Sequence, residues 1–318
     1  MEKTNIIANT FAADVLEGLS AEHKHLSSKY FYDDNGSRIF MEIMKMPEYY
    51  PTNCEFEILS QQSGNILEKL PFKEKFNIVE FGSGDGVKTK QLLSAFIDKG
   101  ADFTYIPIDI SQEAIDALHE NITASLPGIK VKPRTGDYFE ILEDITKDAT
   151  PNLFLFLGGN IGNYRRDEAL SLLQKFNSGM KTGDMLLMGM DLKKNPRTIQ
   201  NAYDDAQGIT KAFNINLLSR INNELDADIK LDQFDFYSNY NPENGEVNSY
   251  LVSLKDQHIH STVLNTTFHL ERDELIWTEL SQKYSFEEIN KLAKETGFSV
   301  VHNFMDCKHY FTDSLWVK

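Results

Sequence analysis

The segment Leu153-Phe154-Leu155-Phe156-Leu157 has no polar side. A strand that is apolar on both faces needs cover on both faces, which a parallel sheet between two layers of helices supplies. Asn77 to Phe81, Phe103 to Ile110 and Met185 to Met190 read the same way. Helical stretches separate them. One runs from Glu55 to about Glu68, and another from Thr89 to Ile97 with Leu92, Leu93, Phe96 and Ile97 on one face. A third is capped by Ser111, with Glu113 in its first turn. The pattern predicts an α/β fold around a doubly covered, largely parallel sheet.

The two flanks of this pattern differ from it. Phe11 to Leu19 is a short amphipathic stretch, and turn residues follow from Tyr30 to Ser37. After about residue 195 a long helix is expected from Asn201 to Glu224. Alternating strands are expected at Phe234 to Ser238, Glu246 to Val252 and Thr262 to Leu270. A helix from Phe286 to Gly297 and strands at Ser299 to Met305 and Tyr310 to Val317 close the chain.

Glu80-Phe81-Gly82-Ser83-Gly84-Asp85-Gly86 joins the first strand to a helix. A dinucleotide fingerprint and a P-loop both need glycine at position 87, where this chain has Val87, although Lys88-Thr89 makes the second a near miss. The pattern acid-x-G-x-G-x-G of class I methyltransferases fits at every position. Charge favours it too: Glu80 and Asp85 at the rim would repel a polyphosphate. S-adenosylmethionine instead carries a sulfonium and an α-ammonium. Asp109, at the end of the second strand, is placed for the ribose hydroxyls. Gly136-Asp137-Tyr138 suits adenine, with a carboxylate for the exocyclic amine and a ring for stacking.

Segments spread over nearly the whole chain resemble the histidine-specific Nα-methyltransferases of ergothioneine biosynthesis. They include Lys29-Tyr30-Phe31-Tyr32-Asp33, Pro47-Glu48-Tyr49-Tyr50-Pro51-Thr52, Phe156-Leu157-Gly158 with Ile161-Gly162-Asn163, Gly189-Met190-Asp191-Leu192-Lys193, Ala202-Tyr203-Asp204-Asp205 and Thr278-Glu279-Leu280-Ser281. The resemblance implies a Rossmann-like class I methyltransferase sheet with a second, smaller α+β substrate domain. The cofactor domain would comprise 56–195 plus 286–318, and the substrate domain 1–55 plus 196–285. It further implies that Tyr32, Gly82, Gly84, Lys88, Asp109, Asp137 and Tyr138 line S-adenosylmethionine. Asn163 and Tyr203 would hold the substrate carboxylate, with Gly158 and Tyr32 near the α-amine. Tyr49, Glu279 and Ser281 would meet the imidazole, with Ser249 at its wall; Tyr32 and Asn163 are the catalytic candidates. The product would be hercynine. Two positions depart from the family pattern: Ser249 stands where a family member has Met, and Asn160 where it has Thr. A tryptophan-like or tyrosine-like amino acid is the alternative substrate. A nucleotide-using enzyme and an inactive cofactor-binding module are the remaining alternatives.

Composition narrows the partners. A formal net charge of −16 opposes a nucleic-acid backbone or an anionic membrane. Cys54 and Cys307 are too few for a disulfide framework. Met1 to Asn5 lacks the order of a secretory leader, and no apolar run reaches the roughly 20 residues of a membrane span. The expectation is a cytoplasmic monomer acting on a small amino acid. The pairs His23/His25 and His258/His260 have no visible third ligand, so no metal is expected.

Overall fold

Every residue of Phe76–Phe81 is buried in the computed structural model, which describes residues 2–318 and the side chains of 10–318. The side chains of Met1 to Asn5, on which the expectation about a leader rests, lie outside the described residues. In chain order the strands are β1 Phe76–Phe81, β2 Phe103–Asp109, β3 Arg134–Thr135, β4 Asn152–Phe156, β5 Met185–Asp191, β6 Phe234–Asn241, β7 Glu246–Ser253, β8 Gln257–Ser261, β9 Thr266–Leu270, β10 Leu275–Gln282, β11 Ser299–Met305 and β12 Phe311–Val317.

Two compact units divide the chain: residues up to Tyr50 with Lys194–Ser281, and Pro51–Lys193 with Gln282–Lys318. These bounds differ by two to five residues from those the family resemblance implies. Helix Tyr50–Lys69 lies almost wholly in the larger unit. There, too, Tyr284 bridges Leu192, and Lys283 pairs with Asp191 at 2.8 Å, with both side chains buried.

The larger unit holds a seven-stranded sheet of order β11-β12-β5-β4-β1-β2-β3. β1 to β5 pair in parallel, and β12 runs antiparallel to both β5 and β11. This is the sheet that the family resemblance implies: a parallel core closed on one edge by an antiparallel pair. β4 and β5 are buried at every position, as their sequences require. Phe81 stacks on Phe154 and Phe176 with centroids 5.8 and 4.8 Å away. Each such ring contributes about 1.5–3 kcal/mol through burial.

The smaller unit carries the sheet β10-β7-β6 and the hairpin β8-β9. Its core joins Phe11, Phe31, Ile39, Phe213, Leu217, Leu251 and Ile276. Two expectations fail here. The helix expected from Asn201 to Glu224 is two helices, Pro196–Tyr203 and Ile209–Leu225. The Asp205 carboxylate accepts from the N–H groups of Ile209 and Thr210, and so caps the second helix. The strand expected from Thr262 to Leu270 starts only at Thr266; a turn through Asn265, at φ 47°, joins it to β8. In that hairpin His258 and His260 occupy the outward register, and His258 packs on His269 at 4.8 Å.

Candidate active site

In the larger unit the expected cofactor residues lie just beyond the carboxyl ends of β1, β2 and β3. Gly82 and Gly84 have φ of +68° and +53°, a left-handed backbone that glycine adopts without strain. A Cβ on Gly84 would meet nothing within 4 Å, whereas one on Gly82 would lie 3.2 Å from the Tyr138 hydroxyl. The loop thus offers bare backbone on one side and a phenol on the other. Burial first, and then the charge of Asp109, pushes the Tyr138 phenol up to about 12. Asp109 Oδ1 accepts from Ser111 N at 3.0 Å, which fixes the carboxylate at the end of its strand. Asp137 caps helix Tyr138–Ile145, its Oδ1 accepting from Phe139 and Glu140. An open glycine edge, two carboxylates and an aromatic ring fit a nucleoside with cationic groups.

Glu80 is a correction. It is not at the rim but buried beneath the loop, where Thr89 and Tyr105 donate to its two oxygens. Burial pushes its carboxyl up to about 7, against the pull of those two hydrogen bonds. It ties the loop to its helix instead of facing a ligand. Lys88 pairs with the buried Glu55, which also accepts from Gly158 N at 2.7 Å. Gly158 ends the β4 exit and leads to the short helical turn Asn160–Asn163, on which Asn163 is exposed.

The smaller unit gathers the remaining expected residues, Ser249 excepted. Tyr32 lies just before helix Asp34–Ile43. The cap residue Asp33 accepts from Gly36 N and from Asn216 Nδ2, which anchors this corner to helix Ile209–Leu225. The Tyr32 ring packs edge-on against Phe40 and Phe213. Its phenol is pushed well above the ordinary value by burial, then by Glu279 and Tyr203. Like any phenol, it is a neutral hydroxyl at neutral pH. The rings of Tyr49 and Tyr203 lie 6.1 Å apart, and Tyr203 OH is 2.9 Å from Ser281 Oγ. Tyr32, Tyr49, Tyr203, Glu279 and Ser281 thus form one polar and aromatic cluster. Ser249 is buried on β7, and the hydrogen bonds around it lead to Thr278 and Asn214.

A family model described as histidine-specific, S-adenosylmethionine-dependent methyltransferase matches residues 11–318. The chain belongs to that family. The histidine N-alpha-methyltransferase of Mycolicibacterium smegmatis is 34% identical to this methyltransferase over 311 residues, which cover 98% of this chain and 96% of that protein. Ergothioneine biosynthesis protein 1 of Schizosaccharomyces pombe is 29% identical over 297 residues, 90% of this chain and 38% of that protein. An L-tryptophan methyltransferase of Psilocybe serbica is 27% identical over 322 residues, 93% and 89% of the two chains. This methyltransferase uses S-adenosylmethionine as its cofactor and transfers methyl groups to nitrogen. Among its described residues no helix is long and apolar enough to cross a membrane.

Sequence reasoning missed three buried acids. Glu55 shares a helical stripe with Ile58, Leu59 and Ile66, so a charge among apolar neighbours was the available signal. Asp313 sits inside a strand that is otherwise apolar or small, and Asp191 ends a strand with no other charge. One trio of potential metal ligands, Glu57, Asp306 and Cys307, lies within 4.8 Å among the described residues. Asp306 already accepts from the backbone of Lys308, Tyr310 and Phe311, so its role is to shape that turn.

Proposed function

We propose that this methyltransferase methylates the α-amine of L-histidine, to the trimethylated betaine hercynine. The observation that carries the reading is the Tyr203–Ser281 pair in one cluster with Tyr49 and Glu279. Neutral imidazole offers one N–H donor and one acceptor. Glu279 would accept the N–H, and Ser281 or Tyr49 would donate to the other nitrogen. A ring unable to make these bonds would be enclosed by polar groups that it cannot pair with, which disfavours it.

In the larger unit, Gly82, Gly84, Lys88, Asp109, Asp137 and Tyr138 would hold the cofactor and Asn163 the substrate carboxylate; in the smaller unit, Tyr203 is a candidate for the substrate carboxylate and Tyr32 for the cofactor. When bound, S-adenosylmethionine supplies an electrophilic methyl on a sulfonium. The protein's part is then alignment of a neutral amine, an effect of proximity and orientation. Tyr32, being neutral, would hydrogen-bond the amine, and the amine's proton would leave to water. The reading includes a monomer in the cytoplasm without nucleic-acid partners, a point on which the charge of −16 bears.

The test is competitive methylation of a histidine–tryptophan mixture, read by mass spectrometry. The wild type should form trimethylhistidine in large excess. Glu279→Ala should lose about 1–3 kcal/mol of preference for histidine. An unaltered product ratio would mean that Glu279 does not read the side chain. Tryptophan methylated in preference by the wild type would replace the histidine assignment.

A further inference from the structure

The larger unit carries two buried acids, Glu55 and Asp313, that the proposed chemistry does not use. Glu55, on helix Tyr50–Lys69, is fully buried. Its Oε2 pairs with Lys88 Nζ, and its Oε1 accepts the Gly158 N–H at 2.7 Å. Gly189 of β5 leaves the room for it, since a Cβ there would collide with Oε1. One carboxylate thus joins the first turn of the glycine-loop helix to the backbone that leaves β4.

Asp313 lies opposite Gly189 on β12 and is also fully buried. Neither of its carboxyl oxygens meets a donor among the described residues. What it faces is the carboxyl of Glu55. Two carboxyls in contact in a dry site cannot both ionise, and with a single lysine beside them the group is neutral when the pair keeps one proton. Glu55 accepts from two donors already, so the proton belongs to Asp313. Burial, then the charge of Glu55, pushes the Asp313 carboxyl well above the usual range, and Lys88 opposes the shift. Glu55 and Lys88 are the charged groups that face it; its register partners Gly189 and Phe304 carry none.

We propose that Glu55 is a positioning residue for methyl transfer and that Asp313 is its proton-bearing support. Glu55 holds Lys88 and Gly158 as one piece, so the backbone that would face the cofactor and the backbone that would face the amine keep a fixed spacing. Asp313 donates its proton to Glu55 and so keeps that carboxylate aimed. The kinetic part of this inference rests on the proposed function; the binding part does not.

The test uses the full chain and the variants Glu55→Gln, Asp313→Asn and Asp313→Val. Calorimetry reads S-adenosylhomocysteine affinity, and steady-state kinetics read kcat and KM for histidine. Glu55→Gln should lower kcat by about 10–100-fold, the scale seen when a supporting partner is lost, and weaken S-adenosylhomocysteine several-fold. KM for histidine should stay within about threefold, a split that general destabilisation would not produce. Asp313→Asn, whose amide N–H can replace the acid proton, should keep kcat within about threefold, while Asp313→Val should lose about tenfold or more. A folded Glu55→Gln with wild-type kcat and affinity overturns the proposal. So do equal losses in Asp313→Asn and Asp313→Val, since packing would then account for both. If Glu55→Gln does not fold, the contrast between the two Asp313 variants decides alone. If the wild type leaves histidine unmethylated, the proposed function fails, and the affinity measurements still judge Glu55.

Discussion

The two units place their polar groups in opposite ways. In the larger one, Glu55, Glu80, Asp191, Lys283 and Asp313 are buried within or against a sheet whose central strands are apolar on both faces. In the smaller one, buried and partly exposed residues alternate along β7 and most of β10, and the cluster around Tyr32 runs from the buried Tyr203 and Ser281 to Tyr32, half of which is exposed. Buried charges in the first set hold backbone elements at fixed spacings, and losing a partner there costs the fold. On the proposed function, the hydroxyls and the carboxylate of the second set would exchange partners with a ligand, and losing one there would cost recognition.

Three measurements can break or sharpen that contrast. The largest effect is expected from Lys283→Met. Asp191 would keep its charge in a buried site without its cation, a loss of about 3–5 kcal/mol. Urea unfolding reads it, and a loss below about 1 kcal/mol would remove this pair from the framework.

Next is Glu80. Its carboxyl titrates near 7 in the folded chain, against 4.5 for the unperturbed group, so the folded state holds the proton more tightly. This contribution to stability is fully present below pH 4.5 and is lost as pH rises to about 7. The change is about 3 kcal/mol across that window. Glu80→Gln should therefore show a flatter stability profile between pH 5 and 7.5. Identical slopes in the two proteins would place the titration elsewhere.

The smallest effect is expected in the other unit. Tyr203→Phe deletes one hydroxyl and its bond to Ser281, about 1 kcal/mol. kcat/KM for histidine should fall about fivefold, with S-adenosylhomocysteine affinity unchanged. A large drop in melting temperature without a change in kcat/KM would move Tyr203 from recognition to framework.

The same contrast explains what could be read in the sequence. Runs such as Leu153 to Leu157 announce a covered parallel strand, because no polar side is left to face water. The two closing strands were legible as strands, but their antiparallel pairing was not, because periodicity fixes no strand direction. The break between Tyr203 and Ile209 was not, since the apolar spacing continues across it. The first helix ends at Asp204, and the second starts at Gly208, whose φ is 74°, with the Asp205 side chain turned back onto two of its backbone N–H groups. Glu80 was misplaced at the rim because a strand residue's neighbours across the sheet, here Tyr105, cannot be seen along the chain. The motif that carries Glu279 and Ser281 can be read along the chain, whereas the bond of Ser281 to Tyr203 depends on how distant segments fold.

The hydrogen bond from Asn216 to Asp33 spans 183 residues of chain. Helix Asp34–Ile43 and helix Ile209–Leu225 are therefore made far apart in time, although they share one core. At roughly 5–20 residues per second, synthesis leaves the earlier helix waiting on the order of 10–40 s for its partner. During that interval Phe31, Ile39 and Ile43 have no Phe213 or Leu217 to pack against. The nascent chain thus presents a sticky apolar stripe to the ribosome exit and to holdase chaperones until helix Ile209–Leu225 emerges.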